Sequence, residues 1–262
     1  MDATLPPSSL EAEIAAVQQK IRAEPTNPKW RMGLFQRYCQ AGRWQKALEQ
    51  LQTYAGMSGA EGEAFAYAYR VALQQEQVRE RVFRGETDPL LPDDADDWLR
   101  VLASTLKQPS AGTLSAGDLR AQALQLAPTS SGTLDEQPFE WIADADSRLG
   151  PVCEAIVEGC YQWIPYSAIA SIRISAPANL CDLVWLPAGI QLRGNNEESR
   201  PALLPARYPW SDGLIDGHLR SVLTTWEEQD ADTWIGHGVR VLTTDRQEKS
   251  LLDIRRIDFD PA

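Results

Sequence analysis

The string that first invites a chemical reading is Asp144-Ala145-Asp146-Ser147-Arg148, which follows Trp141-Ile142-Ala143. A short strand that ends in two carboxylates two residues apart can aim one at phosphate as a nucleophile and use the other to move a proton. A metal-dependent hydrolase or phosphatase of that kind also needs a downstream lysine and an acidic metal-binding motif. Lys249 is the only lysine after Arg148. In the competing reading the string is a structural turn: Asp144 and Asp146 accept backbone N–H bonds and pair with Arg148, and Gly150-Pro151 suits that turn. The turn is the better account, and no catalytic residue is assigned.

Other residues with chemical potential are scattered. His218 and His237 are the only histidines, and neither has a nucleophile nearby in sequence. Cys39, Cys153, Cys160 and Cys181 form no C-x-x-C pair, so they read as small buried apolar residues of a reducing compartment. The histidines and cysteines lack zinc-ligand spacing. Asp93, Asp94, Asp96 and Asp97 crowd the start of a helix, where acid is favourable, without the glycine and closing glutamate of a calcium loop. Gly236-His237-Gly238 is too short to cradle a phosphate. Neither a metal nor a cofactor is expected. Glu227, Glu228, Asp230 and Asp232 read as a solvated loop. Trp141, Trp163 and Trp185 read as core, and Trp210, Trp226 and Trp234 as exposed.

The chain has 262 residues, with 25 basic and 37 acidic side chains and a net charge of −12. That balance argues against nucleic acid, since phosphate contacts need clustered Lys and Arg. Residues 1–135 carry a net −3 and residues 136–262 a net −9, which suggests two bodies with different surfaces. No apolar run is long enough to span a membrane, and the first residues lack the pattern of a signal peptide, so a cytoplasmic location is expected.

These side chains must be positioned by two kinds of element. Ser8-x-x-Glu11 predicts a helix start, followed by a stripe of Leu10, Ile14, Val17 and Ile21. Asn27-Pro28 opens a second helix with Leu34, Phe35, Tyr38 and Ala41 inward, closed by Gly42. A third runs over about Arg43–Tyr54 with Trp44, Ala47, Leu48 and Leu51 inward, ended by Gly56. A fourth carries Ala64, Tyr67, Ala68, Val71, Val78 and Val82, a fifth spans Pro92–Lys107, and Ser115 caps a last one. With Pro28 first, Leu34, Tyr38, Gly42, Ala47 and Leu51 fall where a tetratricopeptide repeat (TPR) places large, aromatic, glycine, small and large residues.

After Pro128–Pro138 the pattern becomes strand-like. Strands are predicted at Val152–Glu158, Cys160–Pro165, Ile169–Ser175, Leu183–Pro187, Gly189–Arg193, Ala202–Pro205, Val239–Thr244 and Leu251–Phe259. The expectation is a two-domain α+β chain. Residues 1–127 form a TPR-like α-helical repeat domain, 128–138 a linker, and 139–262 a smaller, mostly antiparallel β-rich α+β domain.

Residues 138–172, PFEWIADADSRLGPVCEAIVEGCYQWIPYSAIASI, together with DLVWLPA at 182–188 and LPARYP at 204–209, closely resemble the ImpE family, also called TagJ or SciE-type proteins. VFRG at 82–85 and DLRAQALQLAP at 118–128 fit the same family, so the resemblance covers nearly the whole chain. It implies a non-enzymatic accessory protein of bacterial type VI secretion. It also implies a partner, the N-terminal segment of the small sheath subunit (TssB), and through it a link to sheath disassembly by the ClpV ATPase. In the register set by Pro28, the residues facing a peptide groove are Lys29, Met32, Gln36, Cys39 and Gln40. The alternative remains a hydrolase centred on Asp144 and Asp146.

Overall fold

The computed structural model describes residues 9–107, 115–194, 198–209, 211–230 and 233–261. Ser8, Trp210 and Asp232, on which expectations were placed above, lie outside that set.

The chain opens with helices. In α1 (Leu10–Ala23) the predicted stripe Leu10, Ile14, Val17 and Ile21 is buried, and the cap is Ser9, whose hydroxyl accepts the Ala12 N–H. Asn27 caps α2 (Pro28–Gln40), with Pro28 at the first position, where its missing N–H costs nothing. The next helix differs from expectation. α3 (Trp44–Phe83) runs through Gly56, which is helical and exposed, and breaks at Gly59. There φ is 63° and ψ −149°, a conformation open to glycine because it has no Cβ. The chain turns back there: Trp44 donates to Glu80 at 2.7 Å and the Tyr54 and Phe65 rings lie 5.9 Å apart, so the segment after Gly59 returns along the one before it, and the expected turn falls three residues later than Gly56.

Beyond Gly59 the inward face of α3 is only partly the predicted one: Val82 is buried and Val71 and Val78 pack against the core, but Ala64 and Ala68 are exposed. Tyr67 is exposed, and the buried positions are Gly62, Ala66, Ala72, Leu73, Glu76, Arg79 and Val82. An apolar stripe could not reveal this face, because two of its residues are charged. The predicted fifth helix contracts to α4 (Asp97–Ser104), and α5 (Ala116–Leu126) starts at the Ser115 cap.

The remainder is mainly strand: β1 (Gly132–Leu134), β2 (Gln137–Phe139), β3 (Ile142–Asp144), β4 (Val152–Val157), β5 (Cys160–Pro165), β6 (Ile169–Ile174), β7 (Trp185–Leu192), β8 (Ser199–Pro205), β9 (Thr224–Asp230), β10 (Thr233–Gly238), β11 (Val241–Thr244), β12 (Glu248–Ser250) and β13 (Arg256–Phe259), with the one-turn helix α6 (Asp216–Leu219) before β9. The large sheet has the order β2-β1-β13-β6-β7-β8-β4-β5, beside a three-stranded β12-β11-β3 sheet and a β10-β9 hairpin. Every pairing between these strands is antiparallel, in line with the expected sheet type.

Three differences from the predicted strands have clear causes. β1 and β2 form inside the stretch 128–138, because β1 docks on β13 from the far end of the chain. The two runs around Pro187 are one strand: Pro187 sits beyond the end of β6, where β7 has a strand neighbour only on the β8 side and needs no second donor. The acidic run at 227–230 belongs to β9 rather than to a loop.

Two cores sandwich the large sheet. All six residues of β4 are buried. Val152 and Ile156 join the helical residues in one core, whereas Cys153, Ala155 and Val157 join Ile142 and Leu242 of the small sheet in the other. The first core is continuous from Leu10 of α1 to Trp185 of β7, and the Trp44 and Trp185 rings lie 5.6 Å apart. The helices therefore cover one face of the sheet and share its interior.

Candidate functional site

The Asp144–Arg148 string sits at one end of a buried ionic network that joins the two halves. Asp144 is carried by β3 and Asp146 by the turn that follows; both are buried. Arg240, just ahead of β11, grips Asp144 Oδ2 through Nε at 2.9 Å and Nη2 at 2.6 Å. Asp144 Oδ1 accepts from the Tyr208 hydroxyl at 3.1 Å and from the Asp146 N–H at 2.9 Å. Asp146 Oδ2 accepts from Arg148 Nη2 at 2.5 Å and from the Gly236 N–H at 2.9 Å, and its Oδ1 accepts the Arg148 N–H.

From Arg240 the network passes into the helices. Its Nη1 lies 3.2 Å from Glu154 Oε2 on β4. Arg79 of α3 meets Glu154 through Nε at 2.5 Å and Nη2 at 3.0 Å, and it meets Glu76, one turn back, at 2.8 Å. Tyr161 donates its hydroxyl to Glu154 Oε1 at 2.6 Å, and the Trp185 indole donates to Glu76 Oε2 at 2.8 Å. Arg207 completes the junction by donating to the carbonyls of Gln40, Leu219 and Cys39.

Burial on this scale shifts the titrating groups. It raises the Glu154 carboxyl, but Arg79 and Arg240 outweigh it and hold the group below its ordinary value. Burial raises Asp144, with Asp146 adding to the shift and Arg240 opposing it. Burial pulls Arg207 down to about 10, against the attraction of Glu76. It pushes the Cys153 thiol up to about 12 and raises Cys39 as well, which suits the inert structural role expected of them. Cys160 differs from the other three in being exposed.

This geometry is a structural junction. Both oxygens of Asp144 and both of Asp146 are occupied by guanidinium, phenol or backbone donors; Arg148 pairs with Asp146 alone, and the partner of Asp144 is Arg240 rather than the expected Arg148. Gly236 is needed for the same assembly: a Cβ there would lie 2.2 Å from the Tyr208 ring. Among the described residues no group of three His, Cys, Asp or Glu is placed to hold a metal ion, and no helix is long and apolar enough to cross a membrane.

The proposed groove residues divide. Lys29 is exposed, and Met32 and Gln36 are partly exposed. Cys39 and Gln40 are buried beneath Arg207, so the sheet half covers that end of α2. A separate apolar groove of about 550 Å³ opens between α3 and the sheet, lined by Tyr67, Val71, Ile156, Pro187, Pro201 and Leu203. Among the tryptophans, Trp163 and Trp185 are fully buried, whereas Trp141 is exposed against expectation and lines a cavity of about 320 Å³ beside Ser130 and Pro151.

One constellation was invisible in sequence. Ser211 Oγ lies 2.9 Å from His237 Nδ1, and His237 Nε2 lies 3.2 Å from Glu227. The fold thus brings a hydroxyl to a histidine that had none near it in sequence. The Glu227 side chain is 67% exposed, so it does not fix the imidazole as a buried carboxylate does. Glu76, Arg79, Glu154 and Arg240 were also missed. A usable signal existed for Glu154, the one charged residue in the run VCEAIV.

The chain is similar to known proteins over nearly all of its length. The ImpE protein family model matches residues 136–258. The type VI secretion system accessory component TagJ of Pseudomonas aeruginosa is 37% identical over 255 residues, spanning 97% of this chain and 88% of that protein. A crystal structure of a Vibrio parahaemolyticus protein has the same fold, with a TM-score of 0.86 at 19% identity, covering 97% of this chain and 94% of that one. On this similarity the chain belongs to the ImpE family, the family of the type VI secretion accessory component TagJ.

Proposed function

We propose that the protein is a non-enzymatic, cytoplasmic accessory component of a type VI secretion system. In this reading it binds the N-terminal segment of the small sheath subunit (TssB) and thereby influences sheath assembly or ClpV-linked disassembly. The observation that carries the reading is the near full-length similarity to TagJ, which extends over the helices as well as the sheet. The saturated carboxylates of Asp144 and Asp146 support a structural rather than a hydrolytic role for the one string with catalytic potential.

The contact is assigned to the part of α2 that remains at the surface, Lys29, Met32 and Gln36. The test is calorimetric titration of a peptide of the TssB N-terminal segment into the full chain. Saturable binding is expected, weakened by Lys29→Glu with Gln36→Glu at an unchanged melting temperature. No binding to the unaltered protein removes the sheath partner. Binding that survives the α2 changes but falls in Val71→Asp moves the contact to the apolar groove beside α3.

A further inference from the structure

Four of the large apolar side chains that stand exposed among the described residues are crowded into one stretch. They are Ile215 at 57%, Val222 at 75%, Trp226 at 37% and Trp234 at 45%. The stretch includes the β10-β9 hairpin, and residues 225–229 of β9 are all exposed. Two half-exposed indoles beside an acidic strand are more than solubility requires.

The backbone of this hairpin can be followed bond by bond. The Val239 N–H donates to the Leu223 carbonyl. Alternation along the antiparallel register then makes Thr225–His237 and Glu227–Ile235 the hydrogen-bonded pairs. Thr224, Trp226 and Glu228 therefore turn their N–H and C=O groups away from β10. On the far side of β10 four of the six matching groups bond to the protein: Gly236 N–H to Asp146, Trp234 N–H to the Ser147 hydroxyl, Trp234 C=O to the Ser147 N–H, and Gly238 C=O to the Tyr208 N–H. On the far side of β9 no strand follows among the described residues. One edge of the hairpin is thus anchored to the protein, and the other presents a row without backbone partners among the described residues.

The side chains around that row have one sign of charge. The alternation sets Trp226 and Glu228, with Trp234 across from Glu228, on one face, and Thr225 and Glu227, with His237, on the other. A strand added to β9 would meet a carboxylate on either face and an indole on one. Antiparallel pairing of two copies through this edge would bring their glutamates together, which disfavours self-association. A lysine stem can lie along the Trp226 indole while its ammonium reaches Glu228.

We propose that the outer edge of β9 receives an extended, lysine- or arginine-bearing segment of another protein as a third strand of the hairpin sheet. Main-chain bonds to Trp226 and Glu228 supply the register, and Glu227 and Glu228 select for base. This surface is independent of the α2 contact proposed for the sheath segment.

The probe is a fluorescein-labelled peptide of about eight alternating lysines and threonines, titrated into the full chain at low salt and read by anisotropy. Saturable binding is expected, with hydrogen exchange slowed at the Trp226 and Glu228 amides. Methylating alternate backbone nitrogens of the peptide keeps its charge but removes its donors, and should weaken binding about tenfold. Glu227→Lys with Glu228→Lys, both at exposed positions, should abolish it without lowering the melting temperature. Equal binding of the methylated peptide, protection that appears elsewhere, or no binding would each overturn the proposal. So would a dimer in sedimentation whose β9 amides are already protected before peptide is added.

Discussion

Glu154 is where two guanidinium groups from opposite halves meet, so its charge is the most informative one to remove. Glu154→Gln leaves Arg79 and Arg240 buried with half their partner, and breaking a buried pair in this way costs about 3–5 kcal/mol. The loss should depend on pH in a defined direction. The folded state holds the Glu154 carboxyl below its ordinary 4.5, so the unfolded chain binds the proton more readily. Its stabilisation is complete above that value and is lost as pH falls through the lower folded pKa. Denaturant melts of the two proteins should differ most near neutrality and converge below pH 4.5. A gap that stays constant into acid would contradict the ion-pair account.

For the elements, the two glycines early in α3 make opposite predictions. Gly56 is helical with open space where a Cβ would go, so Gly56→Ala should stabilise by about 0.5–1 kcal/mol. Gly59 also has open space, but its φ of 63° is closed to side-chain residues without strain, so Gly59→Ala should destabilise by about 1–3 kcal/mol. Thermal melts of the two variants should move apart; movement in the same direction would place the break elsewhere. The sequence could not distinguish these glycines, since each follows a helical stripe and either could end it. α1 and α2 were legible to within a residue because cap, stripe and stop signal agree there. The second half of α3 was not, because Glu76 and Arg79 occupy its buried face and invert the usual sign of burial.

Across the two halves, the shared interior has a thermodynamic consequence. Trp185 of β7 packs in the helical core and donates to Glu76 of α3, while Arg207 holds the end of α2. Separating helices from sheet would expose this apolar surface and leave charges without partners. A single unfolding transition is therefore expected, with far-ultraviolet dichroism and tryptophan fluorescence coinciding. Two resolved transitions would show that the halves are stable apart. Trp185→Phe should lower that transition by removing the donor to the buried Glu76 carboxylate, a loss of about 1–3 kcal/mol.

The sequence alone was enough for the order of helices then strands, the antiparallel sheet and the family. Each of these rests on local spacing or on strings long enough to be specific. Capping residues, helical stripes and alternating strands act through neighbours a few positions away. What only the tertiary structure decided are the contacts between distant segments. They include the pairing of Arg79 with Glu154, the burial of Cys39 and Gln40 under Arg207, the docking of β1 on β13 within the expected linker, and the meeting of Ser211 with His237. The outer edge of β9, which no strand covers among the described residues, belongs with them. An acidic run reads as a loop until a partner strand fixes its register, and that register decides which backbone groups face outward.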